Sequence, residues 1–161
     1  MECSKTKIVP VVFLVVMFSF IAGLPFLWAG QYDAMKGVDT AKVVFDVRDG
    51  IPKLAASHIK LIYKTYKELE AMKKKPVFVV VFMGGAVKLI SRDRAGFSAQ
   101  EQKYLEEISA TISRMSEDGI HFEVCGAALK YFGVDPDSIQ TEIKHVPNGW
   151  ISEIGFQARG Y

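Results

Sequence analysis

The sequence predicts an α/β fold: a three-layer α/β/α domain with a mostly parallel sheet of about four to five strands, preceded by an N-terminal hydrophobic helix. Residues 77–83 are apolar without alternation, which is typical of a strand covered by helices on both faces. Strand-like stretches alternate with helical ones, so the crossovers run through helices and the strands are parallel. After about 30 targeting residues, the remaining length suits one globular domain with a sizeable core.

The first 30 residues predict a signal peptide or an uncleaved membrane anchor, with the anchor preferred. Residues 8–30 contain no charged side chain and follow Lys5 and Lys7. The run exceeds the ~7–15 residues of a signal-peptide core and reaches the ~20 that cross a bilayer. The lysines place the amino end in the cytoplasm. We therefore expect a periplasmic domain, which is membrane-anchored if the segment is retained and soluble if it is cleaved.

The first half of the domain begins after a predicted linker, residues 31–41. Residues 42–47 predict a buried first strand, and residues 48–52 supply turn chemistry. An amphipathic helix follows and ends before the lysine run at 73–75, because apolar residues and one histidine recur at helical spacing: Leu54, His58, Leu61, Ile62, Leu69 and Met72.

The central strand, 77–83, is followed at once by Gly84 and Gly85, which predict a tight turn with close backbone approach. Ser98 and Glu101 have the spacing of a capping box. A helical stripe continues from there to Asp118-Gly119, with the apolar residues Tyr104, Leu105, Ile108, Ile112 and Met115.

We place the whole domain at residues 42–161. Its last part contains two shorter predicted strands. Residues 120–124 form a strand that ends at Cys125, where a helix begins. Asp135-Pro136 opens a short helical turn, and residues 143–146 predict a last strand. The segment 147–149 precedes a terminal helix that extends to Gly160.

Cys125 is the most informative residue, because it is the only cysteine after residue 30 and stands at a strand-to-helix junction. Open α/β sheets place their chemistry at the edge where the strands end and the helices begin, and the start of a helix favours a thiolate. The alternative is a small buried hydrophobe. Cys3 lies on the other side of the predicted membrane span and cannot pair with it. An unpaired cysteine in an oxidising compartment indicates deep burial, an intermolecular disulfide or a reactive thiol.

The segment 119–129, with Gly133-Val134, resembles the DsrE/DsrF-like family of sulfur-relay proteins. Residues 84–88 resemble the turn that this family places beside its cysteine, and residues 149–161 resemble the tail of its exported branch. Over residues 42–161 the resemblance implies a three-layer α/β/α domain, commonly oligomeric. It also implies a cysteine at position 125 that accepts and passes on sulfane sulfur as a persulfide.

This chemistry requires no metal or organic cofactor. The thiolate attacks the sulfane sulfur of a donor, holds it as Cys125–S–SH and yields it to an acceptor thiol. The predicted site therefore has one catalytic residue, four substrate-pocket residues and two weaker histidine candidates: Cys125; Gly84, Gly85, Gly126 and Ala127; His121 and His145.

Other groups contribute little. His121 and Cys125 share a strand face, but four residues of extended chain separate them by roughly 13 Å. The scattered histidines show no metal-ligand spacing. A net charge of +2 predicts no nucleic-acid partner.

The expected partners are sulfur donors and acceptor thiols, either proteins or small sulfur compounds, together with the membrane through residues 8–30 and further subunits in a homo- or hetero-oligomer.

Two further functions stay open. The first is a membrane-tethered, oligomeric binding or assembly module in which Cys125 merely lines a pocket. The second is a thiol redox partner that forms mixed disulfides through Cys125, although the sequence has no Cys-x-x-Cys pair.

Overall fold

The computed structural model describes residues 32–161. The predicted hydrophobic helix lies outside these residues. A single 3-10 turn, Asp33–Met35, falls within the predicted linker, which is shorter than expected because the first strand begins at Thr40. Among residues 32–161, no helix combines the length and the apolar character needed to cross a membrane.

The sheet has four strands, all parallel, in the order in which they occur in the chain. These are β1 (Thr40–Val47), β2 (Lys75–Phe82), β3 (His121–Cys125) and β4 (Ile143–Val146). The parallel sheet predicted from the apolar runs is thus confirmed, with four strands. Because the strands are parallel, all four carboxyl ends meet at one edge.

Within residues 32–161, four α-helices cover both faces of the sheet. They are α1 (Pro52–Ala71), α2 (Ala99–Glu117), α3 (Gly126–Phe132) and α4 (Gly149–Ala158). The helices α1 and α2 pack together, and Tyr66 of α1 meets the Phe78 ring of β2 edge-on at 5.3 Å. The next residue along β2, Val79, points to the opposite face and packs with Phe156 of α4.

Two expectations about burial were wrong. The first strand lies at the edge of the sheet, so that only Val47 of β1 is fully buried. In α1, Leu54 and Leu61 are 40% and 60% exposed. The buried face of α1 is instead formed by Pro52, Ala55, Ala56, Ile59, Ile62, Tyr66 and Leu69. Small alanines let the helix approach the sheet closely, and a hydropathy pattern undervalues them.

The predicted capping box of α2 is present. The Ser98 hydroxyl accepts from the Glu101 amide at 3.3 Å, and the Glu101 carboxylate accepts from the Ser98 amide at 2.9 Å. The helix ends at Glu117, and Gly119 then adopts the left-handed conformation at φ +86°. This turn brings β3 alongside β2 and so carries Cys125 to the carboxyl edge of the sheet.

Candidate functional site: a cleft at the carboxyl edge of the sheet

A cleft of about 270 Å³ lies where the four strands end. Arg48 follows β1, Met83 follows β2, Cys125 ends β3, and Asn148 stands two residues beyond β4. The remaining lining residues come from the turn after β2 and from helices α3 and α4: Gly84, Ala127, Ala128, Tyr131, Phe132 and Trp150. Each strand therefore contributes to one site.

Cys125 lies in the floor of this cleft and is only 5% exposed. It packs in a cluster with Val79, Val81, Met83 and Phe156. Within the described residues its thiol forms no disulfide. The sulfur is thus reached through the cleft, which admits small reagents more readily than large ones.

The amino end of α4 covers the cysteine. Gly149, the first residue of α4, leaves no space for a side chain: a Cβ there would lie 3.1 Å from Cys125 Cβ and 2.6 Å from Met83 Sδ. Asn148 caps the helix by accepting from the Trp150 amide at 3.0 Å. Glycine at this position allows the helix to close over the thiol.

The glycines after β2 bring two loops together. Gly84 has φ +53° and lies against Arg48, whose Cβ and carbonyl oxygen would both be 3.3 Å from a Cβ at position 84. Gly85 approaches the backbone of Gly50, 2.9 Å from the position of its own absent Cβ. The close backbone approach expected of this glycine pair is therefore present, and it presses the Arg48 loop against the end of β2.

Two of the four predicted pocket residues line the cleft, and two do not. Gly84 and Ala127 line the cleft, whereas Gly85 and Gly126 are not among its lining residues. Gly126 instead faces the end of β4, where a Cβ would lie 3.2 Å from the Val146 carbonyl oxygen. The Ala127 amide donates to the Pro147 carbonyl at 3.1 Å and joins α3 to the loop before α4.

Arg48 is the single charged side chain among the cleft residues. Its Nε donates to the Asp46 carboxylate, and its guanidinium carbon lies 5.6 Å from the centre of the Trp150 ring. Sequence reasoning assigned residue 48 to a turn and missed it. Its position directly after a parallel strand was the signal, because all such positions share one edge of the sheet.

The model of the DsrE/DsrF-like family matches residues 42–161. The chain belongs to the DsrE/DsrF-like family. Among solved structures, it is similar to a protein of unknown function from Methanobacterium thermoautotrophicum, with 20% identity and a TM-score of 0.59 over 75% of this chain and 95% of that one. This likeness shows a shared fold. A search of curated proteins found no match.

The DsrE-like domain also holds a polar cluster on the α4 face of β3, centred on Glu123. This carboxylate is 3% exposed and accepts from the Ser152 hydroxyl of α4. His121 Nε2 lies 3.1 Å from its other oxygen, and Lys144 Nζ lies 3.8 Å away. The cluster ties α4 to β3. Sequence reasoning missed Glu123, although a carboxylate within an apolar strand was the available signal.

Neither predicted histidine lines the cleft of this domain. The His121 ring is directed to Glu123. His145 lies on β4 and is exposed. The described residues therefore place no histidine beside the thiol.

Glu153 of α4 adds a second carboxylate near Arg48. Burial raises its pKa above the usual glutamate value, repulsion from Asp46 raises it further, and Arg48 acts in the opposite direction. Its Oε1 is buried and, among the described residues, lacks a hydrogen-bond partner. Asp46, Arg48 and Glu153 thus form one interacting charge group.

Residues 32–161 contain no cluster of three or more metal-ligating side chains.

Proposed function

We propose that this protein is a sulfur carrier that holds sulfane sulfur as a persulfide on Cys125, in an extracytoplasmic setting. One observation carries the proposal: in a DsrE/DsrF-like domain, a family that suggests sulfur relay, the thiol lies in the floor of a cleft at the carboxyl edge of the sheet. The extracytoplasmic setting follows from the uncharged run at 8–30.

The surroundings of the thiol suit this chemistry. The Cys125 thiolate attacks the sulfane sulfur of a donor, whose S–S bond breaks as the leaving group departs with the electron pair. An acceptor thiolate then attacks the outer sulfur and releases the Cys125 thiolate. Apolar side chains such as Met83, Ala128 and Phe132 surround the reacting sulfur atoms, and the cleft volume of about 270 Å³ accommodates a small donor.

The test is intact-protein mass spectrometry after incubation with inorganic polysulfide. The full chain carries Cys3→Ser, so that Cys125 is its only cysteine. We expect a mass gain of about 32 Da per sulfur atom, removable by excess thiol. The control adds Cys125→Ser and should show no gain. An equal gain in that control, or no gain in the parent, would refute the carrier function.

A binding or assembly function is the second candidate, favoured by exposed apolar side chains beside the cleft. Trp150, Ile151 and Ile154 of α4 are 58%, 68% and 65% exposed, and Tyr131 of α3 is 83% exposed. Contiguous apolar surface of this kind is typical of a subunit contact. A homo-oligomer through this surface predicts that Ile154→Asp lowers the mass measured by analytical ultracentrifugation, whereas Leu61→Asp on α1 does not.

The two candidates are separated by alkylation of the Cys125 thiol. Blocking the thiol abolishes sulfur loading but leaves a purely assembling protein intact. Sulfur loading that is lost on alkylation favours the carrier. A protein that loads no sulfur before alkylation and keeps its sedimentation coefficient afterwards favours the assembly function. The extracytoplasmic setting is tested separately, by protease accessibility of the domain in intact and permeabilised cells.

A further inference from the structure

We propose that Arg48 makes the Cys125 cleft selective for small anionic sulfur donors, such as hydropolysulfide and thiosulfate, over neutral ones. The sulfur chemistry rests on the proposed carrier function. The preference for anions rests on the positive charge of Arg48 among the mainly apolar residues of the cleft.

The cleft combines one cation with otherwise uncharged walls. Arg48 is the only charged residue that lines it, and the residues around Cys125 are mainly apolar. A charge beside low-dielectric walls acts more strongly on a ligand than the same charge in open water. An anion that approaches the thiol therefore meets one favourable charge among mainly apolar walls.

Arg48 is held in place and still accessible. Its Nε is bound to Asp46, its guanidinium lies over Trp150, and the Gly84 backbone packs against its Cβ. Its side chain is nevertheless 49% exposed. Within the described residues, Nε is the one side-chain nitrogen of Arg48 with a hydrogen-bond partner. The terminal nitrogens thus remain as donors for an incoming anion.

The neighbouring charges set the size of this effect. The carboxylate of Asp46 partly neutralises Arg48, and Glu153 lies within the field of both groups. Lys88 lies 5.1 Å from the centre of the Phe132 ring, which lines the cleft, and adds positive charge nearby. Removing Arg48 should therefore weaken anion capture, and removing the charge of Asp46 should strengthen it.

Thiosulfate and hydropolysulfide each transfer one sulfur atom to Cys125 by the same kind of displacement. With thiosulfate, the Cys125 thiolate bonds to the sulfane sulfur, the S–S bond breaks, and sulfite leaves with the electron pair. With hydropolysulfide, the leaving group is the hydropolysulfide shortened by one sulfur. The guanidinium acts on the negative charge that both donors bring into the cleft and that a neutral donor lacks.

The first experiment needs no sulfur donor. In the full chain carrying Cys3→Ser, the rates of Cys125 alkylation by iodoacetate, an anion, and by iodoacetamide, its neutral analogue, are compared as a ratio. We expect Arg48→Gln to lower this ratio by about threefold or more, which is below the ~10-fold low end of electrostatic rate effects because Asp46 partly neutralises Arg48. Any change in the reactivity of the thiol itself affects both rates and cancels in the ratio. Arg48→Lys keeps the charge and should retain most of the ratio.

Two further variants complete the design. Lys103→Gln removes an exposed charge from α2, on the opposite face of the sheet, and should leave the ratio unchanged. Asp46→Asn should raise the ratio, and it decides the question if Arg48→Gln fails to fold. A parental ratio in both Arg48→Gln and Asp46→Asn, or an equal fall in Lys103→Gln, overturns the proposal.

The second experiment repeats the comparison with sulfur donors. Arg48→Gln should slow loading from thiosulfate and from inorganic tetrasulfide more than loading from a neutral organic trisulfide. Equal slowing with all donors overturns the selectivity. If the parent loads from no donor, the carrier function fails, and the alkylation ratio still tests Arg48 independently.

Discussion

Gly149→Ala should separate the amino end of α4 from the sheet, because a methyl group has no room there. The new Cβ would lie 2.6 Å from Met83 Sδ, 2.8 Å from Met83 Cγ and 3.1 Å from Cys125 Cβ. The Met83 side chain is flexible, but it is only 4% exposed and packed within a buried cluster. Either Met83 is forced into another rotamer or α4 moves outward.

The expected magnitude follows from two opposing effects. Overpacking a buried site costs about 1–3 kcal/mol of unfolding free energy. Replacing glycine by alanine in a helix returns up to about 1 kcal/mol, and less in the first turn. The net loss is therefore between about 0 and 3 kcal/mol, and a central value of about 1–2 kcal/mol lowers Tm by roughly 3–8 °C in a domain of this size.

Gly155→Ala is the matched control in the same helix. A Cβ at Gly155 meets nothing within 4 Å, so only the helix propensity changes. We expect this variant to gain up to about 1 kcal/mol and a few degrees in Tm. The two alanine substitutions thus have opposite signs although their chemistry is identical.

Thermal unfolding and iodoacetamide alkylation of Cys125, both in the Cys3→Ser chain, test this reasoning. Gly149→Ala should melt earlier and react faster, because its α4 no longer closes over the thiol. Gly155→Ala should melt later and react at the parental rate. If Gly149→Ala were as stable as the parent and equally slow to react, α4 would not be the cover that the geometry indicates.

Three further substitutions test local interactions. Ser152→Ala removes the hydroxyl that Glu123 accepts from and should cost about 1–3 kcal/mol in urea unfolding, because a buried charge loses a partner; an unchanged midpoint would contradict this. Glu153→Gln should raise Tm at neutral pH, since burial and Asp46 raise the folded-state pKa of Glu153 and its ionisation therefore opposes folding. The gain should disappear as the pH falls below the ordinary glutamate pKa, where both states are protonated, and a gain independent of pH would exclude this cause. Ser98→Ala breaks the capping box and should cost about 1 kcal/mol, measured by urea unfolding.

Local signals made much of the fold predictable. The last strand, 143–146, was placed at its observed bounds, and the Ser98 capping box fixed the start of α2. The central strand was identified from its continuous apolar run, although it begins at Lys75, two residues earlier than predicted. These features depend on neighbouring residues in the chain, which a single sequence displays.

The rest depends on contacts between distant residues. The edge position of β1 follows from strand order, and the buried face of α1 follows from how closely its alanines approach the sheet. Arg48 and Trp150 meet at the cleft although they are about a hundred residues apart in the sequence. Cys125 and Arg48 were both signalled by their positions at strand ends, whereas no local pattern signalled that Trp150 would lie at the cleft.

The segment around Cys125 supplies the floor, while Arg48 after β1 supplies the charge and Gly149 in α4 the cover. Gly149→Ala should therefore raise both the iodoacetate rate and the iodoacetamide rate, whereas Arg48→Gln should act mainly on the ratio of the two.

The double variant tests whether the two functions are coupled. Trp150, which lies beneath the Arg48 guanidinium, directly follows Gly149, so an outward shift of α4 also withdraws the ring that supports Arg48. Neighbouring sites of this kind are commonly non-additive. We expect Gly149→Ala to weaken the effect of Arg48→Gln on the iodoacetate-to-iodoacetamide ratio. Strict multiplication of the two single effects would show that Arg48 keeps its place without Trp150, held by Asp46 and by the Gly84 backbone.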